Sequence, residues 1–228
     1  MLPRLIDLAM RGEIAAAERR RLAPRAAGRV LEVGFGSGLN LAHYGSEVSR
    51  VLGVDPSWEL WRRARKRVQE SPVRVDFAVG TAERLPLAAA SVDTAVLTWT
   101  LCSVEDPGAA LAEIRRVLAP GGHLLFVEHG SAPEPGVRRW QDRLTPFWRR
   151  AAGGCHLNRD IPDLIRRAGF ALSWADDGYA RGPRPFTYFF RGVAQEASGE
   201  RAPSTARDTG APAGGGPLPR PTGTASAT

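Results

Sequence analysis

Three glycines at alternate positions, Gly34, Gly36 and Gly38, end a short apolar run, Arg29-Val30-Leu31-Glu32-Val33, that carries one acid. A strand turning tightly away at such a loop leaves backbone that no side chain obstructs, so a ligand can approach the main chain there. The chemistry implied is the holding of a nucleotide-like cofactor. The dinucleotide fingerprint G-x-G-x-x-G is met only in part, because its third glycine would fall on Leu39. A second apolar run, Val51-Leu52-Gly53-Val54, ends in Asp55. An acid roughly 20 residues past the glycine loop is placed to accept both hydrogen bonds of a ribose diol. Asp55 could equally cap a helix starting near Trp58, since Asp-Pro-Ser is good cap chemistry.

The elements that must position these residues alternate. Strands are expected at 29–33, 51–54, 73–78, 92–98 and 123–128, and two more at 170–174 and 186–193. Helices are expected at 3–22, from Leu39 through Asn40 after the glycine loop, and at 58–69, 107–118, 137–150 and 161–168, the last closed by Gly169. The apolar face of the leading helix is read as Leu5, Ile6, Leu8, Ala9 and Ile14. Strands separated by helices imply an α/β fold: a single Rossmann-like, doubly wound, mostly parallel sheet with helices on both faces. Ligands of such sheets sit beyond the strands' carboxyl ends, where all these motifs fall.

The pattern E-x-G-x-G-x-G at Glu32 to Gly38 resembles motif I of the class I S-adenosylmethionine-dependent methyltransferases. Three further blocks resemble the same superfamily in order: Gly80-Thr81-Ala82-Glu83-Arg84-Leu85-Pro86, Ser91-Val92-Asp93-Thr94-Ala95-Val96-Leu97, and Leu118-Ala119-Pro120-Gly121-Gly122 leading into His123 to Glu128. The domain resembled is the methyltransferase type 11 domain. The resemblance implies seven strands with the last antiparallel, and S-adenosyl-L-methionine as cofactor. Its site residues carry over by position. Gly34, Phe35, Gly36 and Gly38 give backbone room around the methionyl part. Glu32 orients that loop or takes the amino group, and Asp55 holds the ribose with Pro56 beside the adenine. Ala82 offers its N–H to the adenine edge between Thr81 and Glu83, and Thr98 and Trp99 close the methionine end. Many relatives carry Asp where Thr81 stands, which leaves the bond to the adenine amino group open.

Leu97 to Val104, Phe126-Val127-Glu128-His129 and Gly154 to Arg159 resemble the alkyl-thiol methyltransferase branch and bacterial phospholipid or quinone-type methyltransferases. His129 and His156 are the acceptor-side candidates, because imidazole takes a proton near neutral pH and a thiol needs only modest help. Either could instead be a capping or backbone-bonded residue. The function expected is in-line methyl transfer to a small, rather apolar nucleophile, with sulfur, oxygen or nitrogen as acceptor. A nicotinamide-dependent oxidoreductase and a non-catalytic S-adenosylmethionine-binding protein are the alternatives.

At 228 residues and 43% apolar content there is room for one domain with a real core. The division expected is a helical cap at 1–28, a methyltransferase domain at 29–194 with its core at 30–129, and a disordered Ala, Gly, Pro, Ser and Thr tail at 195–228. The formal charge of +7 is carried almost wholly by arginine, Lys66 being the only lysine. Runs such as Arg19-Arg20-Arg21 read as solvated helix faces, so no nucleic-acid partner is expected. Cys102 and Cys155 make no disulfide framework and lack zinc-site spacing, so reduced thiols, no metal and a cytoplasmic location are expected. No signal peptide or apolar run of roughly 20 residues is found, whereas the thiol-methylating members carry an N-terminal anchor. Peripheral membrane contact therefore stays open, and the oligomeric state is not legible.

Overall fold

Seven strands form one sheet in the order β3-β2-β1-β4-β5-β7-β6. The computed structural model describes residues 7–197, and the strands are β1 (Gly28–Val33), β2 (Val48–Asp55), β3 (Arg74–Val79), β4 (Val92–Thr98), β5 (Leu118–His129), β6 (Phe170–Tyr179) and β7 (Tyr188–Glu196). The first five are parallel neighbours, and β7 lies antiparallel between β5 and β6. The chain runs outward from β1 through β2 to β3, then returns to β4 beside β1. The order thus turns between β1 and β4, which opens a crevice at their carboxyl ends. Expected and observed bounds of β4 coincide, and every expected strand is present. β7 runs to Glu196, two residues into the segment expected as tail; residues 198–228 of that segment lie outside the described residues.

The helices are α1 (Glu13–Leu22), α2 (Trp58–Glu70), α3 (Pro107–Val117), α4 (Pro135–Ala151) and α5 (Ile161–Arg167). Asp106 caps α3 by accepting from the Gly108 and Ala109 amides, with Pro107 in the first turn where its missing N–H costs nothing. Successive strand residues divide between two apolar clusters. Leu31, Ala95, Leu124 and Phe126 pack with Ile114 of α3 and Ile161 of α5. Val30, Val96, Leu125 and Val127 pack with Leu22 of α1 and Ala64 of α2. The period of two in the strands is what sorts them. No helix among the described residues is long and apolar enough to cross a membrane.

Two expected helices differ. No α-helix follows the glycine loop; only a 3-10 turn at Leu41–His43 does. Gly34, Gly36 and Gly38 all have positive φ, which bends the chain too often for helical hydrogen bonding to start. The leading helix is broken: residues 7–10 are helical, Gly12 is extended at φ −58° and ψ 154°, and α1 begins at Glu13. The break resets the helical phase, so Leu8 is 68% exposed and α1 buries Ala15, Arg19 and Leu22 instead of the face through Ile14. Leu5 and Ile6 of that expected face lie outside the described residues. An ion pair fixes α1 to the sheet: the buried Arg191 of β7 donates Nε to Glu18 Oε2 at 2.9 Å and Nη2 to Glu18 Oε1 at 3.0 Å.

Candidate functional site

A cleft of about 780 Å³ opens at the carboxyl ends of β1, β2 and β4. Its floor is the glycine loop. A Cβ on Gly34 would lie 2.1 Å from Thr100 Oγ1, so the loop after β1 and the loop after β4 touch backbone to side chain. Thr100 Oγ1 uses that closeness to donate to the Val33 carbonyl at 2.9 Å.

Asp55, at the end of β2, faces this loop. Its Oδ2 accepts the Gly36 amide at 2.8 Å and its Oδ1 accepts the Ser57 amide at 2.7 Å. The capping of α2 falls to Ser57, whose Oγ accepts from the Leu60 amide. Asp55 is therefore not the cap, and each carboxylate oxygen retains a lone pair toward the cleft that it lines. Burial raises its pKa against those two amide bonds.

Beneath the loop, Glu32 is fully buried. Asn40 Nδ2 donates to its Oε1 at 2.9 Å and Tyr44 Oη to its Oε2 at 2.7 Å. Burial pushes its carboxyl up to about 7. Asn40 also donates to Thr98 Oγ1 at 3.2 Å, which joins the ends of β1 and β4. Above Glu32 lies Arg19, buried to 5% exposure; its Nη1 donates to the Met10 carbonyl and its guanidinium sits 5.1 Å from the Trp99 ring centre. Burial pulls its pKa down to about 10, against the attraction of Glu32. Arg19 Nε and Asn40 Oδ1 are buried polar atoms with no hydrogen-bond partner, and both residues line the cleft. Sequence reasoning missed Arg19, Asn40 and Tyr44, because a basic run on a helix reads as solvated and two polar loop residues carry no pattern. Residues 7–10 cover the loop, with Ser37 Oγ donating to Asp7 Oδ1 at 2.5 Å.

Of the residues singled out in the sequence, Glu32, Gly34, Phe35, Gly36, Asp55, Pro56, Thr81, Ala82, Glu83, Thr98, Trp99 and His129 line the cleft. Gly38 does not; it packs against Phe35 and Leu41 behind the loop. Glu83 also braces the far wall, accepting the Glu105 and Asp106 amides through Oε1. Trp99 adopts φ 55°, a strained value for a non-glycine residue, at the hinge from β4 into the cleft wall. His156 does not line the cleft. Its backbone amide and its Nδ1 both meet the Cys102 carbonyl, at 2.8 and 3.2 Å, so it ties two loops together.

The far end of the cleft is apolar, walled by Trp99, Val104, Trp148 and Ala152. Here Cys102, His129 and Cys155 converge: Cys155 Sγ lies 3.5 Å from Cys102 Sγ and 3.5 Å from His129 Nδ1. Hydrogen bonding to Cys102 and then to His129 holds the Cys155 thiol well below the usual thiol range, while burial pushes the Cys102 thiol up. Glu128, fully buried, sets the Cys102 loop by accepting the Thr100, Leu101 and Cys102 amides at 2.9, 2.9 and 3.0 Å. Burial pushes its carboxyl up to about 7.

A strand order that turns between β1 and β4, with a glycine loop and a strand-end acid at that turn, is the crevice in which open α/β sheets bind nucleotide-like ligands. Residues 31–126 match the family model described as a methyltransferase domain. Among proteins of known activity, the chain is similar to thiol S-methyltransferase TMT1B of Rattus norvegicus, 37% identical over 152 residues, covering 64% of this chain and 62% of that protein. It is 38% identical over 109 residues to the ubiquinone/menaquinone biosynthesis C-methyltransferase UbiE of Rubrivivax gelatinosus, 48% of this chain and 42% of that one. The chain thus spans about six tenths of the first relative's length. A solved S-adenosylmethionine-dependent methyltransferase from Mesorhizobium loti superposes with a TM-score of 0.60 at 21% identity, covering 81% of this chain and 99% of that one, and shares the fold.

Proposed function

We propose that this protein transfers a methyl group from S-adenosyl-L-methionine to a small, apolar acceptor, with a thiol as the favoured class. The observation that carries the reading is the Asp55 carboxylate bonded across to the Gly36 amide, at the mouth of a cleft whose opposite end is apolar and sulfur-rich. The residues present fit the cofactor. The partnerless Arg19 Nε is a donor placed for a carboxylate, and the partnerless Asn40 Oδ1 beside buried Glu32 is an acceptor placed for an ammonium. Together they match the zwitterionic end of an amino acid. Asp55 suits the ribose diol, with Pro56 and Ala82 against the base and Thr81 and Glu83 along its edge.

When bound, S-adenosyl-L-methionine supplies a methyl group already activated by its sulfonium charge. The chain's own part is to align, exclude water and tolerate the cancelling of charge. Trp99, held by its amide to Val127 O and edge-on to Phe189, gives a rigid wall at the methionine end. Residues 7–10 and Arg19 shut the cleft from above, which supports reading residues 1–28 as a cap on a domain at 29–194. His129 lies on the acceptor side; His156 serves to hold the Cys102 loop. The relatives' thiol and quinone substrates support a small-molecule acceptor. The two apolar clusters support a doubly wound sheet. Two unbonded thiols suit a reducing, cytoplasmic compartment.

A radiolabelled-methyl transfer screen over small alkyl thiols, phenols, amines and phospholipids tests the reading. Label found in a thioether product supports it. S-adenosylhomocysteine giving no calorimetric heat, with heat from a nicotinamide dinucleotide, overturns it.

A further inference from the structure

Three soft or borderline ligand atoms meet in the cleft wall from three separate parts of the chain: Cys102 after β4, His129 at the end of β5, and Cys155 after α4. All three atoms lie within 4.8 Å of one another. Zinc–sulfur and zinc–nitrogen bonds of about 2.3 and 2.0–2.1 Å in a tetrahedron place two sulfurs about 3.8 Å apart and sulfur and nitrogen about 3.6 Å apart. The measured separations, 3.5 Å for Cys102 to Cys155 and 3.5 Å for Cys155 to His129, are close to those edges. A cation would thus fit with small outward movement.

The ligands are also held in place. Glu128 pins the Cys102 loop through three amides. Gly154, at φ +93°, lets the Cys155 loop pass so close that a Cβ would lie 2.8 Å from the Ser103 carbonyl. The His129 ring packs 4.7 Å from Phe189. Such outer contacts are what orient metal ligands. Two thiolates balance a divalent cation, so no net charge is buried there. Three protein ligands with one open position is the arrangement of catalytic rather than structural zinc sites.

We propose that Cys102, His129 and Cys155 bind a thiophilic divalent cation of the zinc class, whose fourth position opens into the cleft and takes the thiol acceptor as thiolate. The cation half stands alone; the acceptor half rests on the methyltransferase reading. In that half, the thiol displaces a bound water and releases its proton to solvent as the metal–sulfur bond forms. The sulfur then carries the charge that methylation removes.

The test uses the full chain, reduced, stripped with a chelator and titrated anaerobically with Co²⁺. One Co²⁺ per chain is expected, with a thiolate-to-cobalt charge-transfer band, tetrahedral visible bands and displacement by Zn²⁺. C102S, C155S and H129A should each bind at least about tenfold more weakly. S-adenosylhomocysteine binding and circular dichroism show whether each variant is folded; a folded C155S that binds Co²⁺ as tightly as the parent overturns the site. So does a parent protein with two titratable thiols and no charge-transfer band, or one whose thiols prove to be a stable disulfide. Adding a small alkyl thiol should strengthen the band in proportion to a third thiolate, and an unchanged band overturns the acceptor half. Loss of S-adenosylhomocysteine binding with cobalt binding intact would instead strike the methyltransferase reading alone.

Discussion

Asp55 Oδ2 accepts the Gly36 amide at 2.8 Å, so the acid ending β2 fixes the shape of the loop ending β1. In the proposed reading the same carboxylate also receives the ribose of the cofactor. Asp55→Ala removes both functions, and Asp55→Asn keeps the size but loses the charge. A hydrogen bond to a charged group is worth about 1.5–3 kcal/mol. Each variant should therefore weaken S-adenosylhomocysteine binding by about ten- to a hundredfold, measured by calorimetry. Unchanged affinity in both would remove Asp55 from the cofactor site.

Much of this was readable because strands and turns write themselves into short stretches. Val92–Thr98 carries the unbroken apolar stretch Ala95-Val96-Leu97 of a strand buried on both faces, and the acid at Asp55 follows an apolar run directly. What was not readable depends on contacts between distant segments. Arg19 sits in a run of three arginines; Arg20 pairs with Glu13 and Arg21 with Asp176, as solvated residues would, and only the fold turns Arg19 inward. Cys102 and Cys155 stand 53 residues apart, and nothing in either neighbourhood announces the other. The helix expected after the glycine loop failed because three left-handed glycines outweigh the helix-compatible residues at Leu39 and Asn40. Trp140, apolar as it is, stands 55% exposed, since α4 turns Gln141 and Thr145 to the interior instead.

Gly34 and Gly36 should respond differently to alanine. Both have positive φ, but only Gly34 would drive a Cβ into Thr100, at 2.1 Å from Oγ1. Gly36→Ala should cost about 1 kcal/mol of stability from backbone strain alone and weaken S-adenosylhomocysteine binding. Gly34→Ala should cost about 2–4 kcal/mol. Chemical denaturation of Gly34→Ala, Thr100→Ala and the double variant separates the causes. The double should be at least about 1 kcal/mol better than the sum of the singles. Simple additivity would mean that the close approach is not the source of the loss.

Glu32 makes stability and ligand binding move oppositely with pH. Its carboxyl titrates near 4.5 when unfolded and is pushed up to about 7 by burial when folded. The folded state binds the extra proton between these values, so this group's contribution is fully present below about 4.5 and is lost as pH rises through 7. A shift of this size corresponds to about 3 kcal/mol. A cationic amino group beside Glu32 binds the ionised form, so affinity for S-adenosylhomocysteine should rise over the same window. The difference between wild type and Glu32→Gln isolates both effects. Denaturant midpoints and calorimetric affinities at pH 5, 6, 7 and 8 check them, and equal slopes in the two proteins would contradict the assignment.

The Glu18–Arg191 pair couples the stability of α1 to the site, because Arg19 follows Glu18 directly. Arg191 is buried on β7 and also meets Asp176 at 3.1 Å. Removing Glu18 takes two charge-assisted hydrogen bonds from the buried Arg191, leaves it Asp176 alone and costs about 3 kcal/mol, whereas replacing both partners with apolar groups is often nearly neutral. Glu18→Ala should accordingly lower the unfolding free energy by about 3 kcal/mol, and the Glu18→Leu, Arg191→Met double variant by distinctly less. Urea unfolding distinguishes the two. Since Arg19 takes its position from α1, Glu18→Ala should also weaken S-adenosylhomocysteine binding, and the double variant should restore most of it. A Glu18→Ala protein that is destabilised yet binds the ligand normally would show that Arg19 is held by the Met10 carbonyl and Trp99 alone.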